Sequence, residues 1–255
     1  MKKDNIILGV DIGGTGIKGG LIDITKGEMI SERYRLATPK PATPEAVAET
    51  FAELVAHFKW EGPIGVGFPA IVSHGVALSA ANIDKSWVGT NIEKLLSKAC
   101  GCHVHVLNDA DAAGVASMHY GAGKGEMGVV FMLTIGTGIG SALFMDGTLV
   151  PNTELGHVFL KGQEQVAEKM VSKAARKAQG LSWKEWGPHF NEYLLHLQRL
   201  FSPDLVILGG GGSKNFDEFK DAITTNYRVK PAGFLNKAGS VGAAYYAWEM
   251  EQKGN

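Results

Sequence analysis

The chain has 255 residues, 45% of them hydrophobic and 20% charged, with a formal net charge of −1. A balance so near neutrality argues against a general nucleic-acid binder, and 9 prolines beside 34 glycines exclude a collagen-like or disordered Pro/Gly chain. Two cysteines, Cys100 and Cys102, are too few and too close for a disulfide framework and point to a reducing, cytosolic setting.

The opening stretch carries no secretory pattern, because the apolar run after Lys2 and Lys3 reaches only Val10 before Asp11 interrupts it. Residues 5–10 and 20–24 read as strands around a glycine turn, and 28–36 as a third strand. Pro44 opens a helix with Val47, Phe51, Leu54, Val55 and Phe58 on one face. A strand at 64–68 follows. A capping box, Thr90-x-x-Glu93, then starts a helix that buries Ile92, Leu95, Leu96 and Ala99. Residues 103–107 form a strand and Asp109–His119 a helix.

Met127–Met145 is uncharged and long enough to be weighed as a membrane span. Its central glycines, Gly136, Gly138 and Gly140, fit two buried strands, 127–135 and 139–145, better. Helices near 163–179 and 183–200 come next, the second behind a capping box at Ser182-x-x-Glu185. A strand at 204–208 and helices near 214–225 and 239–251 complete the chain. Each half therefore runs from a strand–glycine turn–strand unit into alternating helices and strands, which predicts two α/β lobes with a cleft between them.

Glycine occurs at roughly twice its average usage and gathers at strand ends. Asp11-Ile-Gly13-Gly14-Thr15-Gly-Ile-Lys18 joins two strands, so it is neither a Walker A loop nor a dinucleotide fingerprint. A glycine hairpin still offers backbone N–H groups to an anion, to which Thr15 adds a hydroxyl and Lys18 a cation. Asp11 would hold Mg²⁺ through water. Alone, the motif reads more readily as an ordinary tight turn. Its counterpart, Thr134-Ile-Gly136-Thr137-Gly138-Ile-Gly140, favours phosphate instead, since two such hairpins would grip a phosphate chain from both sides. Gly210 and Gly211, in Leu208-Gly-Gly-Gly-Gly-Ser213, stand where a strand enters a helix, a usual ligand crevice of α/β folds.

These residues, with GVDIGGTGIKGG, ATPKPATPEAV, AANIDKSW, VLNDADAAG, TIGTGIGSAL, LVPNTELGH and GLSWKEW in that order, resemble the ROK family of sugar kinases over nearly the whole chain. The closer likeness is to the family's bacterial polyphosphate-dependent glucokinases. The resemblance implies an actin-like (ribonuclease H-like) ATPase fold with a small N-terminal lobe at 1–110, a large lobe at 111–237, and the final helix, 238–255, packing back on the first. It implies Asp109 as general base, with Asn82, Asn108, Glu154, His157 and Glu168 also binding the sugar. Typical members carry zinc on cysteines downstream of that histidine. Here no cysteine follows Cys102, so no structural zinc of that kind is expected and His157 is read as a sugar contact. The family's GxPG stands as Gly67-Phe-Pro-Ala70.

Asp109 follows a strand and opens a helix, where the helix N-terminus keeps a carboxylate ionised and ready as a base. An N-cap role for Asp109, with Asp111 as its competitor, is the bland alternative. Trp87 is a candidate wall for the sugar pocket. The other histidines, including His103 and His105 on alternate strand positions, read as structural or exposed.

The window from Lys161 to Lys184 holds six basic residues against two acidic ones. Lys169, Lys173 and Lys177 recur every four residues with Arg176 alongside, a helix stripe that would retain a polyanion. Charge runs are more often solvated faces; the likeness to polyphosphate-dependent kinases favours the polyanion. The sequence thus predicts a cytoplasmic kinase that moves a terminal phosphoryl group from polyphosphate to the 6-hydroxyl of glucose, with Mg²⁺ bridging donor oxygens. Mannose is a further acceptor to be weighed, and ATP the rival or second donor. The resemblance implies a homodimer; no nucleic-acid or membrane partner is expected. A sugar-responsive regulator would need a DNA-binding domain ahead of the first strand, and a sugar-free nucleotide switch would leave ELGH and LNDAD without a purpose.

Overall fold

The computed structural model describes residues 5–81, 83–233 and 237–254. In chain order, β1 (Ile6–Gly13), β2 (Gly16–Asp23), β3 (Glu28–Met29) and β4 (Tyr34–Leu36) lead into α1 (Pro44–Phe58) and β5 (Ile64–Phe68). Two short strands, β6 (Val72–Ser73) and β7 (Val76–Ala77), precede α2 (Ile92–Cys100), β8 (Val104–Asn108) and α3 (Asp109–Tyr120). Then come β9 (Val129–Ile135), β10 (Ile139–Met145), β11 (Thr148–Val150), α4 (Glu168–Val171), α5 (Lys173–Ala178) and α6 (Trp183–Phe201). The chain closes with β12 (Leu205–Gly209), α7 (Phe216–Phe219), β13 (Arg228–Pro231) and α8 (Ala238–Lys253). No helix among the described residues is long and apolar enough to cross a membrane.

The chain divides into two compact units, Met1–Ala116 with Asn236–Asn255, and Ser117–Leu235. In the first, the sheet order is β3-β2-β1-β5-β8, with β4 also on β2. β1 and β2 are antiparallel, whereas β1, β5 and β8 run parallel. β5 is buried along its whole length, as a central parallel strand covered on both faces must be. Helix α1 lays Val47, Phe51 and Leu54 into this core beside Val10, Ile64 and Val66. Its start is set by the Thr43 hydroxyl, which accepts from Ala46 N, and by Pro44 at the first helical position.

The second unit has the sheet order β11-β10-β9-β12-β13, with β12 parallel to both β9 and β13. Helix α6 packs Trp186, Phe190, Tyr193 and Leu197 against Phe131, Leu133, Val206 and Leu208. Its capping box forms as the sequence predicts: Ser182 Oγ accepts from Glu185 N at 3.2 Å, and Ser182 N donates to Glu185 Oε2 at 2.9 Å.

Several local expectations are corrected. Residues 28–36 are two short strands, not one. The cap of α2 is Asn91, whose Oδ1 accepts from Lys94 N at 2.8 Å, in place of Thr90. Glu93 instead reaches β8, accepting from Val106 N at 3.0 Å, and Ala99 is exposed. The single helix expected at 163–179 is two, because Ser172 takes extended dihedrals (φ −71°, ψ 163°) and caps α5. The helix expected at 214–225 is a chain of short helical turns around α7.

Candidate active site

The first unit delivers its polar residues where parallel strands stop. Asp11 lies beside Gly67 in the β1–β5 register, and Phe68 beside Asn108 in the β5–β8 register. The carboxyl-terminal edge of the sheet thus carries Asp11, Gly67, Asn108 and Asp109 together, the usual place for chemistry in an α/β fold. A Cβ on Gly67 would lie 3.8 Å from both Asp109 Cα and Gly239 O, and one on Gly239 would lie 3.4 Å from the Asp11 carboxyl carbon. The start of α8 therefore floors the same spot.

Asn108, not Asp109 or Asp111, caps α3. Its Oδ1 accepts from Ala110 N at 2.8 Å and Asp111 N at 3.3 Å, while its Nδ2 donates to Ala70 O at 3.0 Å. Asn108 is 8% exposed, so most of its side chain is committed to joining β8, α3 and the Gly67–Ala70 turn. Asp109 is exposed at the first position of the helix, where the macrodipole favours its carboxylate form.

The β1–β2 hairpin pairs Gly13 with Gly16 and leaves Gly14 and Thr15 exposed at its tip. Thr38 Oγ1 donates to Gly13 O, and Arg35 Nη2 donates to Thr15 O at 2.7 Å. A turn whose carbonyls are held by protein donors presents its N–H groups to a ligand. Arg35 escaped sequence reading because only strand pairing, which sets it opposite Lys18, brings it to the hairpin. Lys18 also faces Asp11 across the hairpin, Nζ to Oδ2 at 3.5 Å, with both side chains about 30% exposed.

The second unit gathers another set. At the β9–β10 turn, Gly136 N donates to Gly138 O at 3.0 Å, and Ala174 N, at the start of α5, donates to Gly136 O at 3.3 Å. The loop after β12 folds onto the same turn, with Gly212 N donating to Ile135 O at 2.9 Å. Gly210 has φ 73° there, with no room for a Cβ against the Ile135 backbone, so two constraints select glycine. Lys173 Nζ lies 3.1 Å from where a Gly211 Cβ would stand. Gly136, Thr137, Gly138, Gly210, Gly211 and one ammonium group thus come together.

Beside them stand Glu154, His157 and Glu168. His157 Nδ1 lies 3.6 Å from Glu154 Oε2, and its Nε2 lies 3.8 Å from Glu168 Oε1. The two carboxylates flank different ring nitrogens, so the three side chains form a row rather than converge on one point, the pattern of a polyhydroxyl contact more than of a metal centre. Ser141 locks the row to β10 by donating to Thr153 O at 2.6 Å and accepting from Leu155 N at 2.9 Å. Glu168 Oε2 accepts from Ile139 N at 3.4 Å. Burial pushes the Glu154 carboxyl above its ordinary range and neighbouring Glu168 adds to this, while His157 opposes it.

Other expectations change or fall outside view. Asn82 lies outside the described residues. Trp87 is no pocket wall: it is fully buried, packs on Phe68 at 4.7 Å between ring centroids, and donates from Nε1 to Ala42 O at 2.9 Å. The basic stripe is broken at Ser172, which separates Lys169 on α4 from Lys173, Arg176 and Lys177 on α5. Arg176 is withdrawn from it, stacked 4.2 Å over the Trp183 ring and donating to Leu181 O. Lys169 sits 3.7 Å from Glu168 Oε1.

The chain resembles known proteins along most of its length. Over 237 residues it is 46% identical to the polyphosphate glucokinase of Mycobacterium tuberculosis, covering 92% of this chain and 89% of that one. The crystal structure of the inorganic polyphosphate/ATP-glucomannokinase from Arthrobacter sp. strain KM superposes with a TM-score of 0.88 at 48% identity, covering 96% of this chain and 99% of that one. A ROK family glucokinase from Streptomyces griseus, solved with glucose and AMPPNP, matches with a TM-score of 0.81 at 25% identity over 96% of this chain and 99% of that one. These sugar kinases share the actin-like ATPase fold, which is the α/β fold of this chain. The model of the ROK family matches residues 7–168, and with the hairpins and carboxylates described above it establishes that the chain belongs to the ROK family.

Proposed function

We propose that this chain is a polyphosphate-dependent glucokinase, transferring the terminal phosphoryl group of inorganic polyphosphate to the 6-hydroxyl of glucose. The observation that carries the reading is the 46% identity with the mycobacterial polyphosphate glucokinase over 92% of this chain. Asp109 takes the proton of the 6-hydroxyl as the new O–P bond forms, and its exposed place at a helix start keeps it ionised for that task. Asn108 steadies Asp109 through the cap and offers the second hydrogen of its amide to the sugar.

Glu154 and Glu168 accept hydrogen bonds from sugar hydroxyls, and the His157 ring accepts or donates between them. Asn82 joins them on the strength of the family resemblance. Gly13, Gly14, Gly138, Gly210 and Gly211 supply backbone N–H groups to phosphate oxygens, while Gly136, whose N–H is spent on Gly138 O, shapes the turn that receives them; Thr15 and Thr137 supply hydroxyls, and Lys18 and Lys173 charge. Mg²⁺, when bound, neutralises charge across the donor oxygens. The Asp11 carboxylate suits it, being a hard oxygen ligand, partly exposed at a strand end beside the phosphate hairpin. A cytoplasmic setting fits two free cysteines, and the family resemblance supports a homodimer.

A second reading adds ATP as donor and mannose as acceptor, because the Arthrobacter relative carries both donors and both sugars in its name. Initial rates with polyphosphate or ATP, each against glucose and mannose, separate the readings. Turnover of glucose with polyphosphate is expected; turnover with ATP alone would remove the donor assignment. Asp109→Asn is expected to lower kcat by about 10²–10⁴-fold while glucose Kd holds. Near-normal kcat would remove Asp109 as the base.

A further inference from the structure

Away from the sugar and phosphate groups, a second polar cluster joins the two ends of the first unit's chain. β8 is an edge strand. His105 lies within it and His103 just before it, two residues apart and so on one side of the sheet. Glu251 sits in the last turn of α8. One oxygen, Glu251 Oε1, meets both imidazoles, at 2.6 Å from His103 Nδ1 and 2.7 Å from His105 Nε2. The rings lie 4.4 Å apart between centroids. Among the described residues this is the one grouping of three or more His, Cys, Asp or Glu whose ligand atoms all fall within 4.8 Å of one another.

We propose that His103, His105 and Glu251 form a binding site for a divalent transition-metal ion of the Zn²⁺ class, which clamps α8 to β8. Two imidazole nitrogens and one carboxylate oxygen are a three-ligand Zn²⁺ set, with the fourth position left to water. His105 is only 15% exposed, Glu251 29% and His103 66%, so the site is anchored on one side and open to solvent on the other. Tetrahedral Zn²⁺ separates its ligand atoms by about 3.3 Å, so the 2.6 and 2.7 Å contacts open by roughly 0.6–0.7 Å when the ion enters. To bind the ion, the facing nitrogens, His103 Nδ1 and His105 Nε2, present their lone pairs, so each ring carries its proton on the far nitrogen, Nε2 and Nδ1 respectively.

Local charge favours a cation. Glu251 stands at the negative end of the α8 dipole. Imidazole donors select against Mg²⁺ and Ca²⁺, so the site would not compete for the ion that accompanies polyphosphate. The adjacent Cys102 is not part of the cluster: its thiol is buried and donates to Trp60 O at 3.4 Å. Zinc of the kind typical in the family was not expected here for want of downstream cysteines. This site draws on different residues, and His105 and Glu251 stand 146 positions apart in sequence.

Calorimetric titration of Zn²⁺ into the full-length protein, stripped with EDTA and dialysed, tests the proposal. Wild type is expected to bind an equivalent of Zn²⁺ at this site and to gain thermal stability from it. His103→Ala and Glu251→Gln should each weaken that binding by about tenfold or more and abolish the gain. His103 is exposed, so its variant reads the site even if Glu251→Gln fails to fold. In wild type, the ring-nitrogen NMR shifts of His103 and His105 should move together on adding Zn²⁺. Absence of Zn²⁺ binding to wild type, or unchanged affinity in His103→Ala, overturns the site.

Discussion

Asn108 and Asp109 are neighbours with unlike duties. The first spends its amide on Ala70 and on two helix N–H groups; the second stands exposed at the helix start. Glu154 shows a different division, between stability and binding. Its raised pKa means that the folded state holds its proton more tightly than the unfolded chain does. The stabilisation from this is complete below the unfolded pKa and is lost as pH rises through the folded one. At neutral pH the ionised Glu154 is therefore a burden on the fold. Glu154→Gln should raise the denaturation midpoint at neutral pH, with a smaller gain in mild acid, and should weaken glucose binding. Urea unfolding at the two pH values and a glucose titration check both halves; unchanged glucose affinity would remove Glu154 from the sugar site.

At the level of elements, the break at Ser172 matters most. Its hydroxyl accepts from Ala175 N at 3.1 Å, starting a new helix where an unbroken one would set Lys169, Lys173 and Lys177 in a line. All three lysines are exposed, but Lys173 Nζ lies beside Gly211 whereas Lys169 Nζ lies beside Glu168. Their contributions should split accordingly. Lys173→Ala is expected to depress turnover with any phosphoryl donor, polyphosphate or ATP. Lys169→Ala with Lys177→Ala should raise KM for long polyphosphate and leave shorter donors little changed, more so at low ionic strength. Steady-state kinetics across chain lengths measures this, and equal losses for all donors from the double variant would exclude a polyphosphate path over these lysines. The strands that escaped prediction, β6, β7, β11 and β13, are two to four residues long, and β13 contains Lys230 and Pro231. Segments so short hold no period to read.

At the level of the molecule, α8 decides how the first unit closes. It returns from the far end of the chain to lie across β1, β5 and β8. The approach is so close that a Cβ on Gly9 would overlap Ser240 O, and one on Gly65 would overlap Ala243 O. These glycines serve packing, not phosphate. Gly65→Ala should cost about 3 kcal/mol of stability, since neither the central strand nor the helix backbone is able to yield. The midpoint of urea unfolding reports it, and a shift within error would show that α8 moves freely on the sheet.

Much of this was legible before folding because it is written in contiguous residues. The hairpin glycines, the Ser182–Glu185 capping box, the strand–helix junction at Asn108-Asp109 and the family motifs need only neighbours a few positions away. The order of elements and the α/β class followed from the same local periods. Contacts between residues distant in sequence were hidden: Arg35 on the Thr15 carbonyl, Lys173 over Gly211, Trp87 folded into the core, and Glu251 between His103 and His105. Each depends on which strand pairs with which and on where a helix lands. Local chemistry names the reactive groups; only burial and strand pairing, which bring distant segments into contact, select the ones that act together.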